Sequence, residues 1–168
     1  MDVIYNLAEK LGGFLRGKNS YIVTAESCTG GLLAASITAI SGSSEYFERG
    51  FVVYNNLAKQ EDLGVKVDTL EKYGAVSEQV AKEMALGGLE RSRAQISIAI
   101  TGLAGPMGAT KDKPVGMVCL ALASRATLLP TITTMYFSGD RNSIRQQAVI
   151  AALESLLKYL GADVNCSR

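Results

Sequence analysis

Apolar residues recur along the chain with two different spacings, and each spacing predicts its own kind of element. Near the N-terminus and after residue 141 they return every three or four residues, as on one face of a helix. Between these segments lie short runs that are apolar throughout, which is typical of buried strands. The two helical stripes consist of Ile4, Leu7, Leu11 and Leu15, and of Val149, Leu153, Leu156, Leu157 and Leu160.

The apolar runs predict strands, and capping residues mark the helices between them. One helix follows the small residues after the first strand and stops near residue 42. Short helical turns end at Gly64 and Gly74, and Ser77 caps a helix that runs to about residue 91. Gly12 and Gly13 are expected to weaken the end of the first helix. The predicted strands span residues 21–25, 51–54, 96–100, 115–123 and 131–137.

The order of these elements predicts the fold class. Strands alternate with helices early in the chain, whereas two strands follow one another late. This order is typical of an α/β fold, and we predict a three-layer α/β/α sandwich with a mixed central sheet. The 168 residues show no internal repeat or linker, so we expect one domain over residues 1–168.

Composition and charge exclude several classes of protein. No stretch is long and apolar enough to span a bilayer, and the N-terminus lacks the pattern of an export signal, so we expect a cytoplasmic protein without a membrane partner. The 17 basic and 16 acidic residues give a net charge of +1, which argues against a nucleic-acid binder. A small anionic ligand held by one or two local cations remains compatible with this charge.

The chain contains no histidine, and this absence restricts its chemistry. A Ser-His-Asp triad, a Cys-His pair and a histidine-ligated metal site are all excluded. Three scattered cysteines, at positions 28, 119 and 166, support neither a disulfide framework nor a zinc site. A hydrolase with this composition needs another base, and lysine, tyrosine and the carboxylates remain.

The segment TAESCTGG, residues 24–31, connects the first strand to a helix. Backbone N–H groups at a helix start carry partial positive charge, so they can bind an anion or stabilise an oxyanion beside Ser27. The alternative, which the local pattern favours, is that Ser27 or Thr29 only caps the helix. Gly30 follows in the same turn. Cys28 is a stronger nucleophile in principle, but with no histidine partner we interpret it as a buried thiol.

Three later segments carry further candidates, each with a simpler alternative. Lys59 follows the strand ending at Tyr54, and it can act as a base only if its pKa is lowered; a lone lysine is usually a solvated surface residue. Thr101 and Gly102 begin a glycine-rich turn that permits close approach to a ligand or is simply tight. Arg141 and Arg145 share a helical face that suits a phosphate or faces solvent, with Asp140 as the helix cap.

Taken together, these segments resemble a known family. TAESCTGG, GSSEYFERGFVVYNNLAK, GAVSE, ITGLAGP with KPVG, and FSGDR occur in the order found in the C-terminal domain of the CinA family, and the resemblance covers about residues 5–158. Stand-alone members of this family are nicotinamide mononucleotide amidohydrolases, which release ammonia and leave nicotinate mononucleotide. The resemblance implies a small nucleotide substrate, no cofactor or metal, and a homodimer or higher homo-oligomer.

The resemblance also implies roles for individual residues. Ser27 matches the nucleophilic serine and Lys59 the catalytic lysine, while Tyr54 and Thr101 match the active-site tyrosine and threonine. Arg141 matches the arginine after the last strand. The substrate-binding residues are then expected among Thr29, Gly30, Gly102, Arg141 and Arg145.

Two departures from the family pattern bear on substrate preference. Met107, Gly108 and Ala109 replace the usual acidic residue and glycine pair after Gly-Pro, and Asn55 stands where serine is common. The sequence therefore leaves two alternatives to a nicotinamide-nucleotide amidase. One is an inactive nucleotide-binding or regulatory paralogue, and the other is an amidase for a different small amide. Retention of both Ser27 and Lys59 favours an enzyme, because a pure binder needs neither.

Overall fold

The computed structural model describes residues 2–127 and 129–163 and contains six α-helices and five strands. None of the helices described is both long and apolar enough to cross a bilayer. In chain order the elements are α1 (Asp2–Gly17), β1 (Ile22–Glu26), α2 (Leu32–Thr38), β2 (Phe47–Val52), α3 (Asn56–Leu63), α4 (Val67–Tyr73), α5 (Glu78–Glu90), β3 (Ile96–Gly102), β4 (Met117–Ser124), β5 (Thr131–Tyr136) and α6 (Arg141–Tyr159).

The five strands form one mixed sheet in the order β2-β1-β3-β4-β5. β1 pairs in parallel with both β2 and β3, whereas β4 is antiparallel to β3 and to β5. The carboxyl ends of β1, β2 and β3 therefore meet at one edge of the sheet. This is the edge at which the motifs TAESCTGG, GSSEYFERGFVVYNNLAK and ITGLAGP leave their strands.

Helices cover both faces of the sheet, which confirms the predicted α/β/α sandwich. Helices α1, α2 and α6 pack with large sheet residues on one face, including Ile98 and Leu120. Helices α3, α4 and α5 pack on the other face, where the sheet presents small side chains such as Ala99 and Ala121. The small side chains on this face leave room for α5 to pack against β3 and β4.

Two element predictions were wrong, and tertiary contacts explain both. Strand β2 begins at Phe47 and ends at Val52, several residues earlier than predicted. It pairs only with β1 and leaves most of its side chains partly or fully exposed, so no apolar run marks it. Helix α1 continues through Gly12 and Gly13 to Gly17. Gly12 is required there, because a Cβ at this position would lie 2.6 Å from the buried Tyr46 hydroxyl.

Glycine also permits the close packing of α5. A Cβ on Gly87 would lie 1.9 Å from the Leu63 carbonyl oxygen at the end of α3. Backbone atoms cannot rotate away as a side chain can, so the two helices would have to separate. We therefore expect Gly87→Ala to lower the free energy of unfolding by about 1–3 kcal/mol.

Gly13→Ala is the matched control for this prediction, because Gly13 lies in the exposed part of α1 with nothing within 4 Å of an added Cβ. That substitution should raise the free energy of unfolding by up to about 1 kcal/mol, since alanine is the better helix former. Denaturant unfolding of both variants measures the difference. Equal effects of the two substitutions would show that the α3–α5 contact does not depend on glycine.

Candidate active site

Ser27 lies directly after β1, where the sheet's hydrogen bonding continues beyond the strand. Its backbone N–H donates to the Ile100 carbonyl at 2.9 Å, and the preceding carbonyl, that of Glu26, accepts from Val53 at 2.8 Å. These bonds join the ends of β1, β2 and β3 around the serine. The backbone of Ser27 is thus fixed from both sides, and its side chain is 7% exposed.

The structure brings Lys59 to Ser27, although the two residues are 32 positions apart. The Lys59 Nζ lies 3.0 Å from Ser27 Oγ, 3.0 Å from the Val53 carbonyl oxygen and 3.4 Å from that of Tyr54. Lys59 sits in α3, and Asn55 caps this helix by accepting a hydrogen bond from the Ala58 N–H at 2.8 Å. Its side chain is only 1% exposed, so it is not a solvated surface lysine.

The environment of Lys59 suits a neutral amine. Burial lowers the pKa of Lys59, because desolvation disfavours the charged ammonium. No carboxylate among the described residues forms an ion pair with it. The three oxygen contacts are compatible with an ammonium, which has three N–H donors, and with a neutral amine, which has two donors and one lone pair. The two donors can bond the Val53 and Tyr54 carbonyls, while the lone pair accepts the Ser27 hydroxyl proton.

Neither Ser27 nor Thr29 caps helix α2, so the capping interpretation was wrong for both. Gly31 occupies the cap position, and no side chain there caps the helix. The cap comes instead from Glu26, whose carboxylate accepts from the N–H groups of Gly31, Leu33 and Ala34 at 3.1, 3.0 and 2.8 Å. Sequence reasoning missed this role, and the available signal was an acidic residue immediately before a turn of small residues.

This cap changes which N–H groups can stabilise an oxyanion. The first N–H groups of α2 are occupied by Glu26, so the helix start predicted for that role is not free. Gly30 donates to the Ser27 carbonyl at 3.0 Å. In the described part of the chain, the N–H groups of Cys28 and Thr29 donate to no oxygen acceptor, and the Cys28 N–H has only its own sulfur nearby. They are the unoccupied donors next to Ser27.

Cys28 has the features of a structural thiol. It is 7% exposed and belongs to the core cluster on the α1, α2 and α6 side of the sheet. Burial raises the pKa of Cys28 to about 11, so the nucleophilic thiolate is scarce at neutral pH. Cys119 is also buried and unpaired, and Cys166 lies outside the described residues.

The two arginines of α6 reach the loops that follow β1, β2 and β3. Arg141 donates to the Tyr54 hydroxyl at 2.6 Å and to the Gly105 carbonyl at 2.7 Å. Arg145 donates to the Thr29 carbonyl at 2.8 Å. Asp140 caps the helix, as predicted, by accepting from the Ser143 N–H at 2.8 Å. The first two turns of α6 are therefore attached to the loops that follow β1, β2 and β3.

The remaining predicted site residues, the catalytic candidate Thr101 and the substrate-binding candidates Gly102, Thr29 and Gly30, have internal partners or none. Thr101 is 1% exposed and donates its hydroxyl to the Ala75 carbonyl at 2.7 Å, so it holds the loop before α5. Gly102 belongs to β3, and a Cβ there would lie 2.7 Å from the Val118 side chain, so glycine serves strand packing. The Thr29 hydroxyl is buried without a hydrogen-bond partner in the described structure. Gly30 adopts a left-handed backbone with φ of 58°.

A family model described as the CinA C-terminal domain matches residues 4–160. The chain belongs to the CinA C-terminal domain family. It is 46% identical over 155 residues to a nicotinamide-nucleotide amidohydrolase PncC of Enterobacter agglomerans, covering 92% of this chain and 94% of that protein. A CinA-like protein of Chlorobium phaeovibrioides is 48% identical over 159 residues, but the match covers only 37% of its length. Among solved structures, the competence/damage inducible protein CihA from Agrobacterium tumefaciens superimposes with a TM-score of 0.90, at 44% identity and with 95% and 96% of the two chains covered.

This CinA C-terminal domain carries its altered loop at the rim of the site. Met107 is 84% exposed, and it follows Gly105, whose carbonyl holds Arg141. Further along, the Lys113 ammonium donates to the Tyr73 carbonyl at the end of α4. The loop is thus anchored on both sides of its exposed tip.

Outside this cluster, the described residues form an open groove but no group of metal ligands. An open groove of about 490 Å³ is bordered by α3, α4 and α5 and shares no lining residue with the cluster around Ser27. Among residues 2–127 and 129–163, no three His, Cys, Asp or Glu side chains are grouped as ligands for a metal ion. The chemically distinctive cluster is therefore the one around Ser27.

The lowered pKa of Lys59 predicts a pH-dependent stability. The folded pKa lies below that of the unfolded chain, so at pH values between the two only the unfolded chain holds the proton. Stability then rises with pH across this interval, by at most about 1.4 kcal/mol per pH unit, and levels off above about pH 10.4. Lys59→Met keeps the stem but removes the ionisable group, so this contribution should vanish.

The measurement is denaturant unfolding of the parent and of Lys59→Met between neutral and alkaline pH. The quantity of interest is the difference between the two unfolding free energies, because the other titrating groups then cancel. Subtracting the value for Lys59→Met from that for the parent should give a difference that increases with pH. Parallel curves would mean that the Lys59 pKa is not lowered in the folded chain.

Proposed function

We propose that this chain, acting as a single domain, is a nicotinamide-nucleotide amidohydrolase that converts nicotinamide mononucleotide to nicotinate mononucleotide and ammonia in pyridine nucleotide recycling. The observation that carries the proposal is the buried Lys59 amine, 3.0 Å from the Ser27 hydroxyl and without a carboxylate partner. The relative of Enterobacter agglomerans, which bears this activity in its name, supports the choice of substrate.

The proposed reaction begins with acylation of Ser27. The Ser27 oxygen attacks the carboxamide carbon while the neutral Lys59 amine accepts the hydroxyl proton. The carbonyl oxygen becomes a tetrahedral oxyanion, which the free N–H groups of Cys28 and Thr29 can stabilise. The Lys59 ammonium then gives its proton to the amide nitrogen, the C–N bond breaks and ammonia leaves.

Deacylation reverses these roles with water as the nucleophile. Water attacks the acyl carbon while Lys59 accepts its proton, and the ester bond to Ser27 breaks as that proton returns to the serine oxygen. Tyr54 would orient the amide, while Thr101 would support the site indirectly by holding the loop before α5. The homodimer or higher homo-oligomer and the cytoplasmic location that the family resemblance implies belong to this proposal.

Recognition of the nucleotide is proposed to rest on the phosphate. A carboxamide offers few polar handles, whereas a phosphate accepts several charge-assisted hydrogen bonds. Arg141 uses two of its N–H groups on Tyr54 and Gly105, and a guanidinium carries five, so donors remain for a ligand. Arg145 stands one helical turn further along the same face.

An inactive binding or regulatory domain is the alternative. Matches to this chain also occur within much longer proteins, such as the one from Chlorobium phaeovibrioides, so the domain is not confined to stand-alone enzymes. A pure binder, however, would gain nothing from a buried amine directed at a serine hydroxyl. Ammonia release from nicotinamide mononucleotide, compared with release from nicotinamide riboside and nicotinamide, decides between the two.

Substitution of the nucleophile gives the first functional prediction. Ser27→Ala should lower ammonia release from nicotinamide mononucleotide by at least about a thousandfold. Cys28→Ala, its matched neighbour in the same turn, should keep most of the activity, because the thiol is buried and protonated. Both variants should unfold cooperatively. An active serine variant together with an inactive cysteine variant would overturn the proposed mechanism.

Removal of Arg141, the proposed phosphate-binding residue, gives the second functional prediction. Arg141→Ala should lower kcat/KM for nicotinamide mononucleotide by about 10- to 100-fold, the value of one charge-assisted hydrogen bond. Turnover of any phosphate-free amide that the enzyme accepts, such as nicotinamide riboside, should change little.

Tyr54→Phe is the control for the arginine, because it removes the hydroxyl that Arg141 contacts and keeps the ring. This variant should retain the preference for the phosphorylated substrate. Equal losses of Arg141→Ala on both substrates would place Arg141 in the chemistry or the fold. If Arg141→Ala lost no activity on either substrate, the phosphate would need another partner, and Arg145, Lys111 and Lys113 would be tested next.

A further inference from the structure

The mechanism leaves the buried carboxylate of Glu26 without a role. Glu26 is fully buried, and it forms no ion pair within the described part of the chain. An isolated buried carboxylate is strongly unfavourable unless hydrogen bonds or a nearby positive potential compensate for it. Here three backbone N–H groups at the start of α2 provide the hydrogen bonds and the positive potential.

Glu26 cannot touch a substrate bound at Ser27. Successive side chains of a strand point to opposite faces, and Glu26 is directed at α2, whereas Ser27 is directed at Lys59 in α3. The two helices lie on opposite faces of the sheet. Any influence of this carboxylate on catalysis must therefore pass through the backbone of the turn.

The turn from Ser27 to Gly31 is attached to Glu26 at both of its ends. At the first end, the Glu26 main chain belongs to β1, and its carbonyl accepts from Val53. At the other end, the Glu26 carboxylate holds the Gly31 N–H. Gly30 and Gly31, with φ of 58° and 93°, give the chain the left-handed bend that returns it to the carboxylate.

We propose that Glu26 is a positioning residue for the nucleophile turn: it fixes the free N–H groups of Cys28 and Thr29 at the place where the oxyanion forms. This inference rests on the proposed function.

The two carboxylate oxygens make Glu26 hard to replace. One oxygen accepts from Gly31 and Leu33 and the other from Ala34, so both must be acceptors. In Glu26→Gln the amide NH₂ group must face at least one N–H donor, because glutamine has only one acceptor oxygen. Aspartate is one methylene too short to reach from the same backbone position.

The test compares steady-state kinetics of Glu26→Gln and Glu26→Ala with those of the parent on nicotinamide mononucleotide. We expect kcat to fall about 10- to 100-fold, as when one oxyanion donor is misplaced, with KM nearly unchanged. Acetate, which fits the volume left in Glu26→Ala, should restore part of kcat, whereas chloride at equal ionic strength should not.

Thr24→Val is the matched control, since Thr24 is buried two residues earlier on the same face and its hydroxyl has no partner. Its kcat should equal that of the parent.

A second readout is independent of the substrate. A small fluorophosphonate reacts with an activated serine: the Ser27 oxygen bonds to phosphorus, fluoride leaves, and Lys59 accepts the serine proton. The phosphoryl oxygen of the probe occupies the oxyanion position, so the labelling rate of the Glu26 variants should fall by the same factor as their kcat. Ser27→Ala, which lacks the nucleophile, is the negative control. A parent that labels but does not release ammonia would overturn the proposed function and leave this inference standing. The inference would be overturned if folded Glu26→Gln and Glu26→Ala were labelled at the rate of the parent. It would also be overturned if their loss of labelling matched the fraction of unfolded protein.

Discussion

A buried ammonium without a counter-charge is unfavourable, and the loops of this protein enclose a lysine in such an environment. Lys59 is enclosed by the Ser27 hydroxyl and by two carbonyl groups at the end of β2, and no acidic side chain of the described structure neutralises it. Such an environment favours the neutral amine. In a chain without histidine, this is how a base with a pKa below that of ordinary lysine can be obtained.

Two buried ionisable groups flank the same turn, and the sheet keeps them apart. Lys59 meets Ser27 on the α3 face, while Glu26 meets the start of α2 on the other face. Had the two side chains shared a face, they would form an ion pair, and the pKa of Lys59 would rise instead of falling. The alternation of side chains along β1 thus keeps the capping charge away from the base.

Packing on the α5 side brings the remaining loops to the same edge. Small sheet residues and Gly87 let α5 approach the sheet and the end of α3, the helix that carries Lys59. From the other layer, Arg141 and Arg145 of α6 reach the loops after β1, β2 and β3. The site is therefore assembled by contacts across both layers, while each strand supplies only one part of it.

Local sequence determined the fold class, most elements, the helix caps at Ser77 and Asp140 and the order of the family motifs, because periodicity and capping act over a few residues. The absence of histidine likewise fixed which catalytic sites are excluded. Only the tertiary structure decided that α1 continues through Gly12, that the weakly patterned edge strand begins at Phe47, and that Glu26 rather than Ser27 caps α2. It also decided that Arg141 meets Tyr54, which is 87 residues away. These features depend on contacts between segments distant in the chain, and no local pattern of apolar and polar residues encodes such contacts.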